Sequence, residues 1–276
     1  MRKISNVLRV ASCCTFSLLM CLPAAGQDAW SQADCVTLLD STAVTVQPNG
    51  SGSFAVYRSF RVQTPKGAVN NHVIKYDYDP LTAFARFKQV TLQRANGETV
   101  QVDVTKTCDY AAPARAIYWG ARQIMIELGS LEPGDTVSYE ISKKGITYAL
   151  LAGGEDDDTR FIPPMRGQFY DIVPFWVDQP TRRKVYTVSM PMEKELQFQF
   201  YNGACASSMR YEDGRKVYTF AKNEVLPFGR EPNMVDLFDE APKLMMSSTP
   251  RWEDKSLWFH DLNEAYGSFD ALPEAQ

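Results

Sequence analysis

Few side chains here are suited to covalent or metal chemistry. The 276 residues include two histidines, His72 and His260, and six cysteines. Cys13, Cys14 and Cys21 lie near the N-terminus, which leaves Cys35, Cys108 and Cys205 for the rest of the chain. A cysteine nucleophile needs a base beside it and a third group to orient that base. Neither histidine has a local acid and nucleophile to serve. His260 neighbours Asp261 in what reads as a helix, where adjacent residues point apart. There is no Cys-x-x-Cys, His-x-x-x-His, Gly-x-Ser-x-Gly or Walker-type glycine loop. No second ligand stands at a metal-binding spacing from any cysteine. Glu155–Asp158 follows Gly153-Gly154 but lacks the alternating oxygen ligands and closing Glu of a calcium loop, and so reads as a solvated loop. We therefore expect no catalytic residue, no metal and no cofactor, although a cysteine enzyme stays open as the third reading.

Two groups of aromatic residues suit binding better. Phe161, Phe169, Tyr170, Phe175 and Trp176 lie in a stretch stiffened by Pro163, Pro164 and Pro174. Exposed rings there could stack on sugars or receive a partner. The competing reading is a crossover between sheets with its aromatics buried. Near the C-terminus Trp252, Trp258, Phe259 and Tyr266 spread around much of a helical pattern, as in helices with a neighbour on each side.

The elements that must carry these residues begin with a leader. Arg2, Lys3 and Arg9 flank the start of an apolar run from Val10 to Leu22, and Pro23–Gly26 supplies small residues for cleavage. That run is shorter than the ~20 residues that span a bilayer. Bulky Met20 before Cys21 argues against lipidation. We expect export, to the periplasm or outside the cell, after cleavage near Gly26, with no membrane-spanning segment left. Without the leader's three basic residues, 26 basic face 33 acidic side chains. That balance excludes nucleic acid, which is bound by neutralising phosphates. In an oxidising compartment three cysteines cannot all pair within one molecule; one disulfide and three buried thiols are both compatible with their positions.

Strand patterns and turns fill most of the chain. Cys35–Gln47 ends at Pro48-Asn49-Gly50, and Ser53–Thr64 then alternates Phe54, Val56, Arg58, Phe60 and Val62. Asn-Gly supplies the positive φ that a tight hairpin needs. Similar units are centred on Asn96-Gly97, Glu132–Asp135 and Asp213-Gly214. Phe169–Val177 and Lys184–Met190 flank a turn at Asp178–Thr181. Repeated hairpins predict an all-β, mostly antiparallel fold: a large two-sheet sandwich over residues 27–248 after a 1–26 signal peptide. Thr249-Pro250 reads as the cap and first position of a short C-terminal helix over 249–268, packed on the sandwich or on a partner.

The ordered set Ala33–Asp40, Lys75–Pro80, Leu92–Glu98, Ile126–Val137 and Pro250–Trp252 resembles the domain of unknown function 3857. In that family an N-terminal β-sandwich usually precedes a transglutaminase-like, papain-type domain in exported bacterial proteins. The resemblance covers roughly residues 32–266. The chain ends about where the transglutaminase-like domain would begin, so no catalytic residue carries over. What the resemblance implies is a non-catalytic accessory module working with a transglutaminase-like or peptidase-like protein, which a separate gene could encode. The alternative is a stand-alone binder of carbohydrate or cell-envelope polymer.

Overall fold

The computed structural model describes residues 29–113, 120–145, 165–229 and 231–265. One layer is an eight-stranded sheet in the order β12-β13-β10-β1-β2-β8-β4-β5. Its strands are β1 (Cys35–Val46), β2 (Gly52–Val62), β4 (Ala83–Gln93), β5 (Thr99–Gln101), β8 (Thr136–Gly145), β10 (Thr181–Pro191), β12 (Ala206–Glu212) and β13 (Arg215–Val225). Two three-stranded sheets form the opposite layer. One orders β3 (Val73–Tyr78), β7 (Arg122–Glu127) and β6 (Cys108–Ala111). The other orders β11 (Gln197–Tyr201), β14 (Lys243–Ser247) and β9 (Tyr170–Pro174). The short helices are α1 (Pro65–Asn70) and α2 (Leu237–Glu240), and α3 (Trp252–Ala265) closes the described chain. This is the expected sandwich, with its second layer split.

Both small sheets cover the same face of the large one. On β2, Phe54, Phe60 and Val62 are buried while Ala55, Tyr57 and Arg61 are exposed, which is the period-two pattern of a half-covered strand. Phe60 and Val62 join Ile74, Ile124 and Ile126 in one apolar cluster under β3-β7-β6. Phe54 joins Val188, Phe220, Val173 and Leu244 in a second under β11-β14-β9. Each fully buried side chain of this kind contributes about 1.5–3 kcal/mol.

Three of the expected hairpins form: β1–β2, β4–β5 and β12–β13 pair antiparallel. In the last, Asp213 and Gly214 both adopt positive φ, 48° and 68°, as a two-residue hairpin turn requires. The unit centred on Glu132–Asp135 differs, because β7 and β8 lie in different sheets. Leu128 and Leu131 drop into the core there. The buried Asp135 carboxylate accepts from Arg94 at 2.9 Å, Ala95 N at 3.1 Å and Glu132 N at 2.9 Å. The turn thus passes the chain between layers. β9 and β10 are likewise in different sheets, and β1 pairs β10 in parallel.

The C-terminal helix starts at Trp252, two residues after Pro250. Thr249 N donates to Ser247 Oγ at 3.1 Å, and Gln197 Nε2 donates to the carbonyls of Thr249 and Pro250. Those bonds hold both residues against β11 and β14 instead of inside the helix. Glu253 and Asp254 occupy the first turn, where the helix dipole favours acids.

Candidate binding cleft

Register on the large sheet sets five polar side chains in one transverse row. Lys222, Lys184, Asp40, Arg58 and Tyr139 are successive cross-strand partners on β13, β10, β1, β2 and β8. The row lies on the inner face. Arg58 shares the phase of buried Phe54, Phe60 and Val62, and Tyr139 that of buried Val137 and Ile141. Lys184 Nζ meets Asp40 Oδ2 at 2.7 Å. Arg58 donates from Nη2 to Thr37 Oγ1 at 3.2 Å, whereas its Nε is buried with no hydrogen-bond partner among the described residues. An unsatisfied buried donor costs about 1–3 kcal/mol, so such a group calls for a reason. Burial pushes the Tyr139 phenol up, while the charge of neighbouring Arg58 opposes the shift.

A second polar set lies between the two apolar clusters. Tyr186 on β10 donates to Asp171 on β9, and both are buried. Burial, reinforced by the charge of Asp171, pushes the Tyr76 phenol on β3 up to about 12 and that of Tyr186 well above its ordinary value. Burial also pushes the Lys143 ammonium down, with Asp171 acting in the opposite sense. Lys143 Nζ sits 4.7 Å from the centre of the Phe54 ring. These groups mark the seam where the two small sheets approach each other.

The seam opens as a cleft of about 220 Å³ floored by Arg58, Tyr139 and Phe60. Val73, Ile74 and Lys75 of β3 form one wall, and Asp178 and Gln179 the other. A wider depression of about 570 Å³ shares Asn71, Asp178 and Gln179 with it and extends to the segment 29–35. That segment is tied down. Gln63 Nε2 donates to the carbonyls of Trp30 and Ala33 at 2.9 and 2.8 Å, and Asp34 pairs with Lys66 at 2.9 Å. The Arg182 guanidinium lies 4.1 Å above the Trp30 ring.

A family model described as a domain of unknown function with solved structure, DUF3857, matches residues 48–228. The chain belongs to the DUF3857 family. The match takes in Arg58, Tyr139, Lys184 and Lys222 of the inner row and leaves Asp40 outside. Comparison with curated proteins gave no match. Among solved structures, a candidate protease from Parabacteroides distasonis is 16% identical with a TM-score of 0.61, covering 79% of this chain and 41% of its own. This DUF3857 chain therefore spans well under half the length of that protein, and at such identity the likeness concerns the fold alone. An M1 zinc metallopeptidase from Deinococcus radiodurans is 14% identical with a TM-score of 0.38, covering 79% of this chain and 42% of its own. A CBM3a-L domain from a Clostridium thermocellum scaffoldin is 10% identical with a TM-score of 0.26, covering 40% of this chain and 67% of its own. Neither of these two is close enough to carry an argument.

The DUF3857 structure scatters the residues whose types suggested chemistry. Cys35 is buried, its Sγ accepts from Asn71 Nδ2 at 3.3 Å, and burial pushes its thiol up to about 11. Burial raises Cys205 as well, and Cys108 is exposed. His72 Nδ1 contacts the carbonyl of Val69, and His260 lies on α3. Among the described residues no three His, Cys, Asp or Glu side chains are grouped to hold a metal. Glu155–Asp158, Phe161 and Tyr266 lie outside the described residues.

The aromatic platform is corrected at two positions. Phe169 and Phe175 retain 4% and 0% of their surface and belong to the second core cluster. Burial alternates through β9 and its flanks, with Phe169, Asp171, Val173 and Phe175 all buried, so this set faces the large sheet. Phe175 meets Phe200 edge to face at 5.1 Å, and Trp176 meets Phe238 at 4.8 Å. Tyr170 is half-buried beside Lys255, whose Nζ lies 5.3 Å from its ring centre. On α3, Trp252 and Phe259 are 77% and 51% exposed, and Trp258 is half-buried beside Phe259.

Arg58 was not singled out for function from the sequence. Its signal was present: one cation in phase with four apolar residues of an alternating strand.

Proposed function

We propose that this chain is a non-catalytic, exported accessory module that works with a peptidase-type protein of the transglutaminase-like class. The observation that carries this reading is the apolar surface of α3, where Trp252, Leu257 and Phe259 are 77%, 59% and 51% exposed. Large exposed apolar side chains grouped on one element mark interaction surfaces. The N-terminal basic and apolar pattern supports export, and no described helix is long and apolar enough to cross a membrane. Burial raises the pKa of the Cys35 and Cys205 thiols, which leaves them little thiolate and supports a non-catalytic role. The likeness to a candidate protease, of whose length the aligned fold covers 41%, supports a place beside a catalytic domain.

The test is to mix the full chain with a purified transglutaminase-like protein from the same organism and to measure complex formation by sedimentation. A complex is expected, and the Trp252→Ser, Phe259→Ser double variant should abolish it with its circular dichroism unchanged. Absence of a complex would count against the docking role. Peptide hydrolysis by the chain alone, lost on Cys→Ser replacement, would count against the non-catalytic one.

A further inference from the structure

We propose that the cleft above Arg58 binds the C-terminal carboxylate of an extended peptide, with the guanidinium holding the carboxylate and the free side of β3 pairing with the peptide main chain. This goes beyond the accessory-module reading and stands without it.

Three observations lead there. The first is the state of Arg58. Its Nε is buried without a partner among the described residues, beside a cleft of about 220 Å³. The carboxylate facing it across the strands, Asp40, is held by Lys184 at 2.7 Å. The Arg58 charge is therefore not neutralised by Asp40, and the part of its guanidinium that lines the cleft can make a charge-assisted hydrogen bond to a carboxylate beside the bond that Nη2 makes to Thr37 Oγ1.

The second observation is charge balance. Lys75 adds one cation at the wall and Asp178 one anion opposite. That surplus of a single positive charge suits a monoanion better than a phosphate dianion.

The third is the edge of β3, which pairs only with β7 among the described residues. Leu128 N donates to His72 O at 2.8 Å. Alternation in an antiparallel ladder then directs the main-chain groups of Ile74 and Tyr76 toward β7, and those of Val73 and Lys75 away from it. Val73 and Lys75 line the cleft, so main-chain donors and acceptors that have no partner among the described residues run alongside the anion position. Strand addition to such an edge is a common way to hold an extended peptide. A sugar acid would use the guanidinium but not the edge. The floor ring of Phe60 retains only 6% of its surface and offers no stacking face.

The experiment is titration calorimetry on the full chain with acetyl-Ala-Ala-Ala as the free acid and as the C-terminal amide. The acid should bind at least about tenfold more tightly, the least expected from one charge-assisted hydrogen bond. Arg58→Gln should erase that preference and Arg58→Lys should keep part of it. N-methylation of the penultimate residue should weaken binding severalfold. Should Arg58→Gln fail to fold, the acid–amide comparison on the unaltered chain decides by itself. Equal affinity for acid and amide, no binding at millimolar peptide, or an Arg58→Gln variant that folds and keeps the preference would overturn the site. Galacturonate binding as tightly as the peptide acid would overturn the peptide assignment.

Discussion

Asp40 and Arg58 face each other on β1 and β2, yet the Asp40 carboxylate bonds Lys184 at 2.7 Å. Lys184 thereby keeps the acid from quenching the guanidinium. Replacing Lys184 by Met should release Asp40 toward Arg58. The affinity for the peptide acid should fall severalfold, and stability by roughly 1–3 kcal/mol as a charge-assisted bond is lost. Calorimetry and a urea midpoint on the same variant check both; unchanged affinity would show that Asp40 does not compete.

Lys143 should give stability a distinctive pH slope. Burial holds its folded pKa below the ordinary lysine value of 10.5. Between those two values the unfolded chain binds more protons than the folded one, so stability rises with pH. The wild type should therefore gain stability relative to Lys143→Met as pH climbs through this window. Urea unfolding across the alkaline range measures the difference. A flat difference would mean the ammonium is not desolvated.

The thiols should react in a fixed order. Cys108 is exposed, Cys205 half-buried, and Cys35 buried with its pKa pushed up to about 11. Thiolate and access both control alkylation. With iodoacetamide in mildly alkaline buffer, Cys108 should be modified first and Cys35 only once denaturant is added. Peptide mass mapping at successive times reads the order.

Gly67 permits a close crossing. A Cβ there would lie 2.2 Å from the Asp34 carbonyl oxygen and 2.9 Å from Cys35 Sγ. Its own N donates to Thr64 Oγ1 at 3.0 Å, capping the first turn of α1. Gly67→Ala should cost about 1–3 kcal/mol or more, as overpacking does. It should also loosen residues 29–34. A lowered urea midpoint and earlier proteolytic cutting near Trp30 would register the two effects.

Local signals were read well from the sequence and distant ones were not. Asn49-Gly50, Asn96-Gly97 and Asp213-Gly214 reverse the chain within one sheet, and turn chemistry alone specifies such reversals. Glu132–Asp135 has equally good turn residues but joins two layers, because turn chemistry says nothing about which strand receives the chain. What decides is the burial of Leu128 and Leu131 and the bond from Arg94 to Asp135, and Arg94 is 41 positions from that acid. Phe175 and Phe169 carry no local mark distinguishing a buried ring from an exposed one. The cleft depends on the register of five strands, and only the phase of Arg58 hinted at it.

The parallel pairing of β1 with β10 has a consequence for how the molecule is made. Thr37 meets Thr181 and Thr45 meets Ser189, so a central seam of the large sheet joins residues about half the chain apart. Contacts of that separation carry a large loop-closure cost and slow folding. As the chain emerges N-terminus first, β1 must wait with an open edge until β10 appears. An early half cannot complete the sheet, and a holding chaperone that shields β1 would be most useful before residue 181 is available.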